Sequence, residues 1–175
     1  MYKKKWIRYK WTLLQTARKN GETMTIYPVP KPSKKPKKRK ITVTSAKKKA
    51  WKAFSEYIRL RDALETTDTK NALICCTCKK LYPAFGKGCA QAGHFIGGRH
   101  NVHLFDEKQV HGQCYNCNIN LKGNWPAYQE FMRNKYGLEI TESIIQNRNT
   151  LIQYSIPDLQ EIEQKYKDKI KVLNK

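Results

Sequence analysis

From Ser45 onward, apolar residues recur at helical intervals: Trp51, Phe54 and Ile58 stand at i, i+3 and i+7, with Tyr57, Leu60 and Leu64 beside them. This spacing predicts an amphipathic helix that frays near Thr66. Between Asn71 and Gln113 the pattern changes to short apolar pieces at residues 72–74, 92–96 and 109–110, separated by turn-prone stretches at 83–88 and 97–101. These read as short strands and loops. A brief helix is expected over residues 117–122, stopped by Gly123. Asn124 then reads as an N-cap, because Pro126 is tolerated only in a first helical turn and Tyr128, Phe131, Met132 and Tyr136 form one stripe before Gly137. Two further helices are predicted. One follows Thr141, and one begins near Ile156 with Leu159, Ile162, Tyr166, Ile170 and Leu173 inward. No internal repeat interrupts this order, and the length of 175 residues suits one domain plus a tail.

Charge alters the picture at one end. Residues 1–50 hold 17 of the 35 basic residues and one of the 14 acidic ones, a net of +16 that leaves +5 for the remainder. The run KPSKKPKKRK at 31–40 is broken by proline and almost wholly cationic, so residues 1–45 read as a flexible basic arm ahead of a domain at 46–175. Such a block repels itself and attracts polyanions by releasing their counterions. Lys34, Lys35, Lys37, Lys38, Arg39 and Lys40 are therefore candidate phosphate contacts, with Arg99, Lys122 and Asn124 nearer the core. No stretch approaches the roughly 18 apolar residues of a membrane span, and the first residues lack the apolar run of a secretory signal. The expectation is a cytoplasmic protein whose partner is nucleic acid.

Six cysteines in such a chain point to metal more than to disulfides. Cys75 with Cys78, and Cys114 with Cys117, form two CxxC pairs, each able to present two thiolates to a tetrahedral Zn²⁺. The 35 residues between Cys78 and Cys114 exceed the usual spacing of a zinc ribbon, so a substantial insertion separates the knuckles. Cys76 and Cys89 are surplus to a closed four-ligand site and read as unliganded thiols. All four histidines (His94, His100, His103 and His111) fall inside that insertion. A phosphodiester hydrolase needs a base to deprotonate water, which imidazole suits, and a divalent cation to neutralise the scissile phosphate.

The order CxxC, AGHF at 92–95, FDEKQVHGQCYNCN at 105–118 and KGN at 122–124 resembles the NinG/Rap family of phage recombination endonucleases and, more distantly, the HNH or ββα-metal nucleases. AFSEYIRLRD at 53–62 and the helix after KGN are also similar, so the resemblance covers about residues 46–137. It implies an α+β fold: a small zinc-stapled ββα-metal core at about 72–124, flanked by α-helices that include residues 125–175. It further implies an endodeoxyribonuclease in which His94 is the general base and Asn118 ligates a catalytic Mg²⁺ or Mn²⁺. Gln109 takes the middle position, where an amide orients the base, and His111 is a second ligand or a phosphate contact. Gly93 stands where an acidic residue often precedes the base, leaving Asp106 or Glu107 as the candidate carboxylate. His100 and His103 read as loop residues near DNA.

By the same resemblance the substrate is branched DNA, such as Holliday junctions or D-loops, and symmetric cutting of a four-way junction would favour a homodimer. Two other classes fit the composition. A non-catalytic zinc-ribbon DNA-binding protein needs the knuckles and the charge but not the histidines. An RNA-binding structural protein needs the same features, yet no RNA-binding signature is present.

Overall fold

In the computed structural model, residues 40–98 and 102–175 are described. The arm candidates Lys34, Lys35, Lys37, Lys38 and Arg39, and the loop residues Arg99 and His100, lie outside them. Helix α1 (Val43–Thr67) starts two residues before the apolar pattern does. Thr42 caps it, accepting from the Ser45 N–H while the Ser45 hydroxyl accepts from the Thr42 N–H. Asp68, in the left-handed conformation, ends it.

Two antiparallel strand pairs follow. β1 (Ala72–Ile74) pairs with β2 (Leu81–Pro83), and β3 (Gln91–His94) pairs with β4 (Val110–Gln113). β2 is absent from the sequence-based expectation, since only three residues ending in proline form it; Pro83 is tolerated because it closes a two-stranded edge. A π-helical turn (Asn116–Asn120) replaces the brief helix expected at 117–122. Helix α2 (Trp125–Gln146) is broken at Gly137, whose φ of 85° and ψ of 168° are not helical. The Thr141 hydroxyl donates to the Gly137 carbonyl at 2.7 Å and bridges the break. Helix α3 (Ile156–Leu173) carries a capping box between Ser155 and Asp158.

The β3–β4 hairpin lies between helices. On one side, Ala92 and Val110 meet Phe54, Tyr57 and Ile58 of α1, onto which Tyr166, Ile162 and Ile170 of α3 pack. The small residues Ala46, Ala50 and Ala53 let α3 approach α1 closely, with Leu159 fully buried at its start. On the other side, Phe95 and Ile96 meet Tyr128 and Met132 of α2, and Ile144 closes the cluster. Periodicity therefore forecast the inward faces of all three helices. The β1–β2 pair packs through Leu73 on Ala63 near the end of α1, and Gly112 is required there: a Cβ on it would sit 2.8 Å from Leu73 Cδ1. The architecture is α+β, and among the described residues no helix is long and apolar enough to cross a membrane.

Phe54 is fully buried and meets Phe105 and Tyr166 edge-on, at ring-centroid distances of 5.6 and 4.8 Å. Phe54→Ala should therefore cost about 3–5 kcal/mol in urea unfolding. A loss under about 1 kcal/mol would mean that α1 is not the packing axis.

Candidate metal centre and hairpin site

Cys75 directly follows β1, and the chain reverses so that the Lys79 N–H donates to the Cys75 carbonyl at 3.0 Å, with Lys79 in the left-handed region. Cys114 directly follows β4, and Cys117 lies in the π-helical turn. The four sulfurs of Cys75, Cys78, Cys114 and Cys117 lie within 4.8 Å of one another, with Cys78 and Cys114 at 3.9 Å. Zn–S bonds of about 2.3 Å in a tetrahedron set sulfurs about 3.8 Å apart, so the donor set fits a zinc-like ion. Backbone N–H groups already face these sulfurs: Cys114 N–H donates to Cys75 Sγ at 3.3 Å and Cys117 N–H to Cys114 Sγ at 3.4 Å. Burial raises the Cys75 thiol, but N–H groups of Cys78, Thr77 and Cys114 and the Thr77 hydroxyl outweigh it and bring it down to about 6. The four cysteines chosen from spacing are the four that could hold the metal. Cys76 is buried against α2 instead, and Cys89 accepts from Arg59 at 3.6 Å.

His94 ends β3. Its ring stacks on Trp51 of α1 at 4.9 Å and 16°, and Nε2 lies 3.1 Å from the Leu104 carbonyl. That carbonyl accepts the Nε2 proton and so makes Nδ1 the basic nitrogen of the ring. Asn118 approaches the same strand from its other face: Nδ2 donates to Gln91 Oε1 at 2.7 Å, and Oδ1 would lie 3.2 Å from a Cβ on Gly93. A Cβ at 93 would also collide with Gln113 Oε1, so the neighbouring strand fills the place of an acidic residue there. Gln113 Oε1 is buried without a hydrogen-bond partner, while its Nε2 donates to the Gly123 carbonyl at 2.7 Å.

Other candidates are positioned differently. Gln109 is fully buried; its Oε1 accepts from the Ile96 N–H at 2.9 Å and its Nε2 donates to the His103 carbonyl. It grips the loop on both sides of the His94–Leu104 contact. Glu107, named above as a candidate ligand, is engaged by α1 and α3. Its carboxylate accepts from Tyr57 at 3.0 Å, Tyr166 at 3.1 Å and Lys169 at 2.5 Å, tying α3 to α1. Asp106 faces His103 Nδ1 at 3.4 Å and accepts from the Lys108 N–H at 2.9 Å. Among the described residues, the cysteines are the one group of three or more His, Cys, Asp or Glu that could share an ion. Lys40 and Lys122 are exposed, whereas the Asn124 amide is half-buried and points to Cys117 Sγ at 3.9 Å.

His111 is buried, with Nδ1 at 3.0 Å from Arg61 Nη2 and 3.4 Å from Asp62 Oδ2, and Nε2 at 3.0 Å from both the Lys108 carbonyl and the Tyr136 hydroxyl. Burial pushes its pKa below the ordinary value, against the pull of Asp62. Sequence reading missed Arg61 and Asp62, which brace this region. Asp62 accepts from the Gly112 N–H at 2.6 Å and from Arg61 Nε at 2.7 Å, and Arg61 donates to the Glu107 and Val110 carbonyls at 2.7 and 2.9 Å. Burial would raise the Asp62 carboxyl, yet His111, Arg61 and the Gly112 N–H hold it at about 2. The available signal was a carboxylate four residues after Ile58 on the inward stripe of α1. A cavity of about 270 Å³ lined by Asp62, His111, Lys79, Phe131 and Lys135 opens beside this network.

A family model described as bacteriophage Lambda NinG protein matches residues 8–175 of this chain. Protein ninG of Escherichia phage 933W is 31% identical over 127 residues, covering 72% of this chain and 57% of that protein. Protein ninG of Enterobacteria phage VT2-Sa matches with the same identity and coverage. The chain thus spans under two thirds of the length of these relatives. No solved structure matches.

Zinc analysis of the purified chain should give one equivalent, and its removal by chelation should unfold the region around both knuckles, seen as lost amide protection. A zinc-free chain with unchanged protection would refute the stapling role. Asp62→Asn leaves Arg61 buried without its counter-charge and should cost roughly 3–5 kcal/mol in urea unfolding. A near-neutral result would show that Arg61 reaches water.

Proposed function

The chain belongs to the NinG family of phage proteins, and from that premise and the hairpin geometry we propose that it is a metal-dependent endodeoxyribonuclease. On this reading it acts on branched recombination intermediates such as Holliday junctions and D-loops. The hairpin, the cysteine centre and the following turn would serve as an HNH-like ββα-metal core. The observation that carries the proposal is the fixing of His94: a histidine at the end of a strand, held by the Trp51 ring on its face and the Leu104 carbonyl on Nε2.

In the reaction, His94 Nδ1 accepts a proton from the attacking water as its oxygen bonds to phosphorus, and the bond to the leaving oxygen breaks. Trp51 restricts ring rotation, which keeps the acceptor lone pair aimed while the proton moves. Gln109 is a positioning residue, because it fixes Ile96 and His103, the backbone flanking His94 and Leu104. Asn118 is the residue proposed to hold Mg²⁺ or Mn²⁺, which when bound supplies charge neutralisation at the phosphate and the leaving oxygen. Lys122 and the basic arm supply sequence-independent phosphate contacts. The family resemblance, not the composition, supports branched DNA as substrate.

One observation favours a second reading, a non-catalytic zinc-ribbon DNA-binding protein: no His, Cys, Asp or Glu cluster beyond the four cysteines is assembled among the described residues. The decisive experiment incubates the full chain with four-way junction, D-loop, linear duplex and RNA, with Mg²⁺ or Mn²⁺. Cleavage of the branched DNA is expected. His94→Ala should lower it on the order of 10²- to 10⁴-fold while zinc content and DNA affinity persist. Asn118→Ala should also lose cleavage, but part of it should return with added Mn²⁺. If His94→Ala cuts at the wild-type rate, His94 is not the base and the mechanism fails.

A further inference from the structure

Trp125 opens α2 directly after three consecutive residues with positive φ: Lys122 at 50°, Gly123 at 94° and Asn124 at 47°. Two of these are not glycine, and such backbone costs energy unless its surroundings hold it. Here they do. The Gly123 N–H donates to the Cys117 carbonyl at 2.9 Å, the Asn124 N–H to Leu121 at 2.8 Å, and Gln113 Nε2 grips the Gly123 carbonyl. The turn is thereby anchored to the cysteine centre, and what it presents is the indole.

Trp125 is 44% exposed. Its plane runs nearly parallel to the Phe95 ring, at 10° with centroids 5.9 Å apart, an offset stack. Phe95 is buried and leans on Tyr128, so the stack is rooted in the core. An offset stack leaves much of the ring surface uncovered, in keeping with the exposure of the residue. Phe95 is the neighbour of His94, and Lys122 stands exposed three residues before the indole. An exposed π-face three residues from an exposed lysine, stacked on the residue that follows the proposed base, offers partners for the two halves of a nucleotide: a base and its phosphate.

We infer that Trp125 is a stacking platform for an unpaired DNA base, a role that rests on the nuclease reading above and gives it a physical source of branch preference. In linear duplex every base is stacked between neighbours and cannot reach the ring. At a junction, a gap or a displaced strand, a base can leave its stack and lie on the indole. Charge cannot make this distinction, because phosphates are present in both forms.

The test uses the full, zinc-loaded chain without added Mg²⁺ or Mn²⁺, and three DNAs of equal length: linear duplex, four-way junction, and duplex with a short gap containing 2-aminopurine. Wild type should bind junction and gapped DNA more tightly than duplex and quench the 2-aminopurine fluorescence. Trp125→Ala and Trp125→Leu should lower that preference about tenfold, the scale of one base–aromatic stack, and abolish quenching. Trp125→Phe should restore most of both. Leucine keeps an apolar contact on Phe95 without a π-face, so the result does not hang on the alanine variant alone. Preference and quenching that survive in Trp125→Leu, or a wild type with neither, overturn the inference. Cleavage of the same junction with Mg²⁺ is scored separately. Quenching without cleavage sinks the nuclease reading and leaves the platform standing, whereas cleavage without quenching does the reverse.

Discussion

Everything near the proposed site depends on four thiols being brought within 4.8 Å of one another. The strand pairs they join are three and four residues long, too short to hold together as isolated hairpins in water. Cys75 and Cys78 bracket the reversal between β1 and β2, while Cys114 and Cys117 bracket the exit from β4. Clasping the two pairs joins the sheets end to end, a junction reinforced by the Cys76 N–H, which donates to the Gly112 carbonyl at 3.0 Å. The clasp also dictates the backbone of residues 122–124, since Gly123 bonds to Cys117. A metal there would act on the hairpin and on the entrance to α2 together.

A hairpin clasped only at one end could still pivot, and the opposite end is secured by buried polar groups. Arg61 and Asp62 reach from α1 to Gly112, Val110 and Glu107. Glu107 in turn collects two tyrosines and Lys169, so α1, the loop before β4 and α3 share one network. Buried charge is expensive unless paired and hydrogen-bonded, and Asp62, the buried charge of this network, is both. Such networks favour one arrangement over near alternatives, which is the requirement of a site that must hold a histidine ring at a fixed angle.

The helices were legible because their periodicity is long and uninterrupted: α1 and α3 appear where Phe54, Ile58, Leu159 and Tyr166 put them. Helix α2 was legible to Gly137; the helix expected after Thr141 starts earlier, directly past the break at Gly137, which the Thr141 hydroxyl bridges. β2 was hidden, three residues carrying no period. The cysteine centre was legible since CxxC spacing encodes its own geometry. The roles of Glu107 and Gln109 were not. The family resemblance suggested a site shared with His94, but Glu107 is claimed by Lys169, 62 residues later, and Gln109 by the loop it closes. Asp62 was missed for the same reason: its partner Gly112 lies 50 residues away. Local pattern reveals elements and knuckles, whereas ownership of a carboxylate is decided by tertiary contacts.

These reassignments bear on the proposed cation. Glu107 is held by α3, and Asp106 turns to His103 and Lys108, so both carboxylates already have partners of their own. Position 93 cannot supply one, because Gln113 Oε1 occupies the space that a side chain there would need. Asn118 offers a single neutral oxygen, and Mg²⁺ is ordinarily held by one or two carboxylates together with substrate phosphates. On the proposed reading the missing negative charge must then come from the DNA itself. Cation and nucleic acid would bind as a linked pair, each raising the affinity for the other by the same factor. On that reading the basic arm fits the same logic: residues 1–45, with 14 basic residues and one acidic residue, would hold phosphates by charge without metal and so would bring to Asn118 the ligand that completes its coordination.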